Sequence, residues 1–225
     1  MSRIATNLTG HPPSRGKCHH QRAFTVLELV VVICCLFILA AIVLPYVQRP
    51  RTHCRTNCTN NLKQIGLSFR TWALDKYPMQ VSVTNGGAME WTERGIASVS
   101  FEVMSNELST PRALLCPADK TRTNAYSFSQ GFNNNCISYF VGADAVDTYP
   151  QMFLCGDDNL LVNGAPVKRG LLTLRTNVSL AWSAARHVNQ GNVALADGSV
   201  QQFSNLRLWQ AFTNTGVATN RLIIP

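Results

Sequence analysis

The chain has 225 residues, of which 46% are hydrophobic, 14% charged and 8% aromatic. A charged fraction this low excludes a charge-driven disordered protein, and the length predicts one domain, or one domain with an appendage. The formal net charge is +8, but four of the cations precede residue 24: Arg3, Arg15, Lys17 and Arg22. Because much of the excess charge lies in this leading segment, the composition argues against a nucleic-acid-binding domain.

The N-terminal segment predicts a basic leader followed by one membrane-spanning helix. Residues 1–23 contain no acidic residue, and the stretch from Leu29 to Gln48 contains no charged residue. About 20 such residues, at about 1.5 Å each, cross the roughly 30 Å hydrocarbon core of a bilayer. The apolar run is too long for the hydrophobic part of an ordinary signal peptide. We therefore predict a leader over residues 1–23 and a transmembrane helix segment over residues 24–48.

One carboxylate, Glu28, lies at the edge of this apolar run. A charge there is costly in lipid, so it is by default a functional candidate. The sequence Phe24-Thr-Val-Leu-Glu-Leu, the apolar run and Pro45 together resemble the N-terminal cleavage and methylation motif of type IV prepilins and type II secretion pseudopilins. In that family the mature chain begins with Phe, Glu is its fifth residue, and a helix-bending proline follows. The alternative is a plain signal anchor with an incidental Glu.

The resemblance implies a structural subunit of a pilus-like or type II secretion fibre. Prepilin peptidase would cleave after Ala23, which stands where the family has Gly, and Phe24 would be methylated. Phe24, Glu28 and Pro45 would serve assembly with other pilin-like subunits. The family places such a chain in the bacterial inner membrane, with the leader cytoplasmic and the head periplasmic. Cations flank both ends of the apolar run, so their distribution does not decide the orientation.

A different class of protein is a membrane-anchored head that binds a polysaccharide without assembling. Trp91, Trp182 and Trp209 are the candidates for stacking on sugar rings, although large aromatic side chains more often belong to a core.

Residues 49–77 predict an amphipathic continuation of the helix, ended by Pro78. Its apolar positions recur at helical spacing, as a stripe facing a globular head would. These positions are Cys58, Leu62, Ile65, Phe69 and Trp72. If Phe24 to Tyr77 were one helix, it would be a rod of roughly 80 Å.

Residues 78–225 predict an α+β head with a small antiparallel sheet. Asn192 to Phe203 contains two strand-like runs joined by Asp197-Gly198, a strong hairpin pattern. The sequence also predicts a hairpin at Asn85-Gly86-Gly87 and a helix over Phe101–Leu108. Three further segments have the pattern of short strands: Ala113–Cys116, Cys136–Val141 and Gln151–Leu154.

The head carries a second resemblance. His187, nine intervening residues and then Asp197-Gly198 form the H-x9-D-G pattern of a pseudopilin-like family expanded in planctomycetes and verrucomicrobia. Cys58-Thr-Asn-Asn-Leu-Lys-Gln-Ile-Gly-Leu, Cys116-Pro-Ala-Asp and Ser138-Tyr-Phe-Val-Gly resemble the same group. His187 and Asp197 could share a metal or an acid–base task. We favour a plainer interpretation, in which Asp197 forms the turn and His187 hydrogen-bonds backbone.

The sequence predicts no enzyme and no obligatory cofactor. Ser199 is the nearest candidate nucleophile, but no known nucleophile motif surrounds it. Four acidic residues of the head are weak candidates for calcium, because their spacing does not match an EF-hand loop. They are Asp144, Asp147, Asp157 and Asp158.

Five cysteines lie beyond the apolar run, where an oxidising exterior permits disulfides. They are Cys54, Cys58, Cys116, Cys136 and Cys155. Cys54 and Cys58, four positions apart on a helix, are too distant for a relaxed bridge. The resemblance implies a Cys58–Cys116 disulfide, with Cys136–Cys155 as second choice. Zinc is the alternative use, although none of the spacings is C-x2-C.

Overall fold

The computed structural model describes residues 25–47, 50–74 and 76–225. The chain divides into two units, Met1–Gln48 and Arg49–Pro225. The first unit contains helix α1 (Val26–Val47), which continues through Pro45. Within it, Val26–Leu44 is long and apolar enough to cross a membrane, and none of this stretch is buried. The leader, Ala23 and Phe24 lie outside the described residues.

The second unit begins with helix α2 (Pro50–Ala73). The predicted apolar stripe is confirmed, since Cys58, Leu62, Ile65 and Phe69 have no exposed surface.

The predicted end of this helix at Tyr77 is wrong. Leu74 adopts a positive φ of 47°, which leaves the right-handed helical region four residues before Pro78. The hypothesis of one rod from Phe24 to Tyr77 also depends on residues 48 and 49, which are not described.

Short helical turns follow α2. Three are the α-helices α3 (Met89–Thr92), α4 (Ala97–Glu102) and α5 (Ser105–Leu108). The predicted helix over Phe101–Leu108 is therefore two helices. The others are 3-10 turns, at Pro78–Gln80, Val83–Asn85, Pro111–Leu114 and Asn134–Cys136.

Two of these turns replace predicted β-structure. The Asn85-Gly86-Gly87 hairpin is wrong, because the residues before it form the 3-10 turns Pro78–Gln80 and Val83–Asn85 instead of a strand. The backbone approaches itself closely there, since a Cβ at Gly87 would meet the Val81 carbonyl oxygen at 2.0 Å. The strand over Ala113–Cys116 is wrong as well. Pro111 starts a 3-10 turn there, and the Thr110 side chain caps it by accepting from the Arg112 amide.

Within the described residues, nine strands form two antiparallel sheets. The larger sheet has six strands in the order β5-β9-β1-β2-β7-β8, and the smaller has the order β4-β3-β6. The strands are β1 (Tyr139–Gly142), β2 (Phe153–Asp157), β3 (Leu160–Val162), β4 (Ala165–Pro166), β5 (Gly170–Arg175), β6 (Leu180–Trp182), β7 (Gln190–Leu195), β8 (Val200–Ser204) and β9 (Thr219–Ile224). Helix α6 (Asn205–Thr213) lies between β8 and β9. The α+β class predicted from the sequence is confirmed.

The larger sheet separates two hydrophobic clusters. On one face α2 packs through Leu62 and Ile65 against alternate residues of β1, including Val141. On the other face Phe140 joins residues of α6 and of the smaller sheet. Every residue of β1 and β2 is buried, as expected for central strands covered on both faces.

The predicted Asp-Gly hairpin is confirmed as β7 and β8. The Ser199 amide donates to Asp197 Oδ1 at 2.8 Å, and Gly198 has a φ of +86°. A left-handed residue after the turn is what a three-residue hairpin loop requires, and glycine supplies it without strain.

Candidate functional site

Four side chains from four separate segments converge between α2 and the larger sheet. They are Cys58 of α2, Cys116 after the Pro111 turn, Asp157 at the end of β2 and His187 before β7. One ligand-type atom from each lies within 4.8 Å of the others. We call these four residues the Cys-Asp-His cluster.

The cluster is buried. Cys58, Cys116 and Asp157 have no exposed surface, and the His187 side chain is 2% exposed. Cys116 Sγ lies 3.3 Å from His187 Nε2, and Nε2 lies 3.9 Å from Asp157 Oδ2. A surface cleft of about 730 Å³ reaches His187 and is also lined by Arg55 of α2.

An unusual backbone conformation holds His187 in place. His187, Val188 and Asn189 have consecutive positive φ values of 49°, 52° and 55°. A β-branched residue such as Val188 is rare in this region, and strain of this kind persists only where the surroundings enforce it. The strained loop therefore turns His187 inward at the start of β7.

A second layer of polar groups supports the cluster. The Asn192 amide and its side-chain Nδ2 both donate to Asp157 Oδ2, at 2.8 and 3.0 Å. Thr59 in turn donates to Asn192 Oδ1 at 3.2 Å. The Tyr139 hydroxyl hydrogen-bonds Cys58, and the Ala118 amide donates to Cys116. Asp157 Oδ1, by contrast, is buried with no hydrogen-bond partner among the described residues.

These contacts change the proton affinities of the cluster. The hydrogen bond from the Cys58 thiol lowers the pKa of Cys116, and the hydrogen bond to His187 lowers it further, against the effect of burial. The same hydrogen bond, together with burial, raises the pKa of Cys58. Burial raises the pKa of Asp157 to about 6. Burial alone would lower the pKa of His187, but the hydrogen bond to Cys116 and the charge of Asp157 raise it overall.

A buried ion network lies beside the cluster and uses the same segments. Arg186 pairs with Asp158 and lies 3.3 Å from Asp119, and Arg122 pairs with Asp158. The Ser138 hydroxyl donates to Asp119 at 2.9 Å. The Ser138 backbone carbonyl accepts from Arg186 at 3.0 Å. All four charged side chains are less than one-tenth exposed.

The H-x9-D-G residues do not meet in one site. Asp197 and Gly198 form the β7–β8 turn, whereas His187 precedes the other end of β7, and a six-residue strand spans about 20 Å. The plainer interpretation is confirmed for Asp197. For His187 it is wrong, because the described ring contacts are with Cys116 and Asp157 rather than with backbone.

The four aspartates suggested for calcium do not converge. Asp144 pairs with Arg221 at 2.6 Å, and Asp147 accepts from the Tyr77 hydroxyl at 2.9 Å. Asp158 belongs to the ion network and Asp157 to the Cys-Asp-His cluster. Each carboxylate is already engaged with different partners, so the described residues form no calcium site from these four.

The predicted disulfides are not formed. Cys58, Cys116, Cys136 and Cys155 are free thiols. Cys58 and Cys116 do lie in contact, but Cys116 also faces His187, so the pair belongs to a larger polar cluster. Cys136 contacts the Thr123 hydroxyl and the Gly131 carbonyl instead of another sulfur.

The three tryptophans suggested for sugar binding differ in burial and in the residues they contact. Trp182 has no exposed surface and packs in the core, with its ring against Gly191. Trp91 is half-buried, with the Arg94 guanidinium over its ring, and Trp209 is 43% exposed. Trp182 therefore cannot offer a face to a sugar.

At the N-terminus, Glu28 takes part in a capping box. The Glu28 amide donates to Thr25 Oγ1 at 3.3 Å, and the Thr25 amide donates to Glu28 Oε2 at 3.4 Å. The pair satisfies two of the amides that a helix start leaves without partners. The prediction for Glu28 considered only its charge. The Thr-x-x-Glu spacing is that of a capping box and would have predicted this contact.

No family model matches this chain, and no significant match was found among curated proteins or among solved structures.

Proposed function

We propose that the protein is a pseudopilin-like structural subunit of a type II secretion or type IV pilus-like fibre. In this proposal prepilin peptidase removes the leader after Ala23, Phe24 is methylated, and the chain is held in the bacterial inner membrane with its head in the periplasm. Its partners are other pilin-like subunits and membrane lipid. The observation that carries the proposal is an unburied apolar helix with one carboxylate, Glu28, in its first turn.

The charge of Glu28 is the feature that an anchor does not need. An acid at the centre of a membrane helix costs about 2.5–3.5 kcal/mol on insertion scales. Cleavage after Ala23 would create a positive amine on Phe24. In a staggered bundle, the amine of one subunit meets the carboxylate of its neighbour, which offsets the desolvation of both charges and fixes the register. The resulting bundle buries the apolar side chains that the single chain leaves exposed.

The capping box provides a way to separate charge from helix capping. Glu28→Gln keeps an oxygen that accepts from the Thr25 amide but removes the charge. Thr25→Ala removes the other half of the box and keeps the charge. We expect Glu28→Gln to insert and to be cleaved, but to fail in crosslinking to other pilin-like subunits in membranes. Thr25→Ala is the matched control, and we expect it to crosslink at the wild-type yield.

The anchor hypothesis predicts a different result. A plain anchor does not assemble, so the wild type itself would give no crosslink to pilin-like subunits, and Glu28→Gln would insert as well as the wild type or slightly better. Crosslinking of Glu28→Gln at the wild-type yield would refute assembly through the charge.

A further inference from the structure

The composition of the Cys-Asp-His cluster matches that of a closed zinc site. Two thiolates, one imidazole and one carboxylate are ligands that zinc takes in tetrahedral sites, with bonds of about 2.0–2.3 Å. Ligand atoms at those distances lie roughly 3.3–3.8 Å from one another. Here the four atoms lie within 4.8 Å of one another, and Cys116 Sγ and His187 Nε2 are already 3.3 Å apart.

From this geometry we propose that Cys58, Cys116, Asp157 and His187 bind one zinc ion. All four ligands come from the protein, so the site is structural and leaves no position for a substrate. The inference does not depend on the proposed fibre function, since all four ligands belong to the head unit.

An orphaned oxygen points to a cation at this position. Asp157 Oδ1 is buried without a hydrogen-bond partner, although its sister atom Oδ2 accepts two hydrogen bonds from Asn192. Leaving a buried carboxylate oxygen unpaired is costly. A metal held by this carboxylate, whose Oδ2 lies 3.9 Å from His187 Nε2, would offset that cost.

The surrounding polar groups are those that orient metal ligands. Ligating carboxylates are themselves hydrogen-bonded in metal sites, as Asp157 is by Asn192. The Tyr139 hydroxyl and the Ala118 amide hydrogen-bond the sulfur atoms of Cys58 and Cys116 respectively. These contacts fix the directions of three ligands before the metal arrives.

Two other uses of the same residues explain less. A Cys58–Cys116 disulfide would leave the convergence of Asp157 and His187 without a purpose. A nucleophilic cysteine activated by histidine must reach a substrate, and Cys116 has no exposed surface. Zinc accounts for all four residues at once. It also joins α2, the Pro111 turn, β2 and the strained loop before β7.

The test is the metal content of the full-length chain, purified in detergent under reducing conditions with added zinc. We expect about one zinc per chain in the wild type, and loss of bound zinc in His187→Gln, which keeps both thiols. Cys54→Ser is the matched control, because Cys54 lies one turn before Cys58 on α2 and outside the cluster. It should bind zinc like the wild type.

Tyr139→Phe keeps the proposal testable if His187→Gln does not fold. It removes only the hydroxyl that hydrogen-bonds Cys58 and accepts from Asn61 Nδ2, and we expect zinc affinity to fall by about 10–100-fold. Replacement of zinc by cobalt in the wild type should give a thiolate-to-cobalt charge-transfer band. A reduced wild-type chain that binds neither zinc nor cobalt overturns the proposal. So does zinc binding by His187→Gln and Tyr139→Phe at the wild-type affinity.

Discussion

At the scale of single residues, three segments serve two buried sites at once. Each segment places one side chain in the Cys-Asp-His cluster and another in the ion network beside it. The three pairs are Cys116 with Asp119, Asp157 with Asp158, and His187 with Arg186. The two sites therefore fix each other's backbone, and a change in one should disturb the other.

The ion network gives a prediction for Asp158. Asp158→Asn leaves Arg122 and Arg186 with Asp119 as their remaining carboxylate within the network. Breaking a buried ion pair by removing one partner costs about 3–5 kcal/mol of unfolding free energy. Urea denaturation of the full-length chain in detergent, followed by tryptophan fluorescence, to which buried Trp182 contributes, measures the change.

Asp144→Asn is the control for this measurement. Asp144 pairs with Arg221, but both side chains are about one-third exposed. A pair of that kind contributes at most about 1 kcal/mol. Equal losses from the two substitutions would contradict the distinction between a buried network and a surface pair.

At the scale of elements, α2 contributes a large part of the core on its side of the sheet. Its buried face carries Leu62, Ile65 and Phe69, and it also delivers Cys58 to the cluster. The opposite face is exposed, as Leu67 shows with 67% of its surface accessible. Removing the packing of this helix should therefore loosen both the core and the cluster.

Two leucines of α2 test this role. Leu62→Ala creates a cavity under the helix and should cost about 2–5 kcal/mol of unfolding free energy. Leu67→Ala removes the same atoms from the exposed face and should change stability by less than about 0.5 kcal/mol. Thermal unfolding monitored by circular dichroism compares the two. A small loss for Leu62→Ala would show that α2 is not part of the cooperative core.

Elements governed by local rules could be predicted from the sequence. The stripe from Cys58 to Phe69 follows helical periodicity, and Asp197-Gly198 satisfies the needs of a tight turn in any context. The pattern at Asn85-Gly86-Gly87 is equally typical of a hairpin, but the flanking residues form 3-10 turns instead of strands. A hairpin needs two strands that pair, and whether they form depends on the rest of the chain and not on the turn residues alone.

The Cys-Asp-His cluster could not be predicted in the same way. Its members come from a helix, a loop after a 3-10 turn, a strand end and a strained loop. Short ligand spacings such as C-x2-C place two ligands on one turn, and this site has none of them. The sequence did single out all four residues, but for different roles: Cys58 and Cys116 as a disulfide, Asp157 for calcium and His187 in the H-x9-D-G pattern. Only the fold brings the four together.

At the scale of the whole molecule, the two units raise separate questions. The first unit has an apolar helix with a capped, charged start, and the second has its own core and a buried cluster. The fibre proposal rests on the first unit and the zinc proposal on the second. Each therefore stands or fails by its own experiment.

The most direct test of the fibre proposal is mass spectrometry of the N-terminus of the protein isolated from its native membrane. We predict a chain that begins with Phe24 and carries one methyl group on its amine. An intact N-terminus that begins at Met1, with no processed form, would contradict the proposal and leave a membrane anchor.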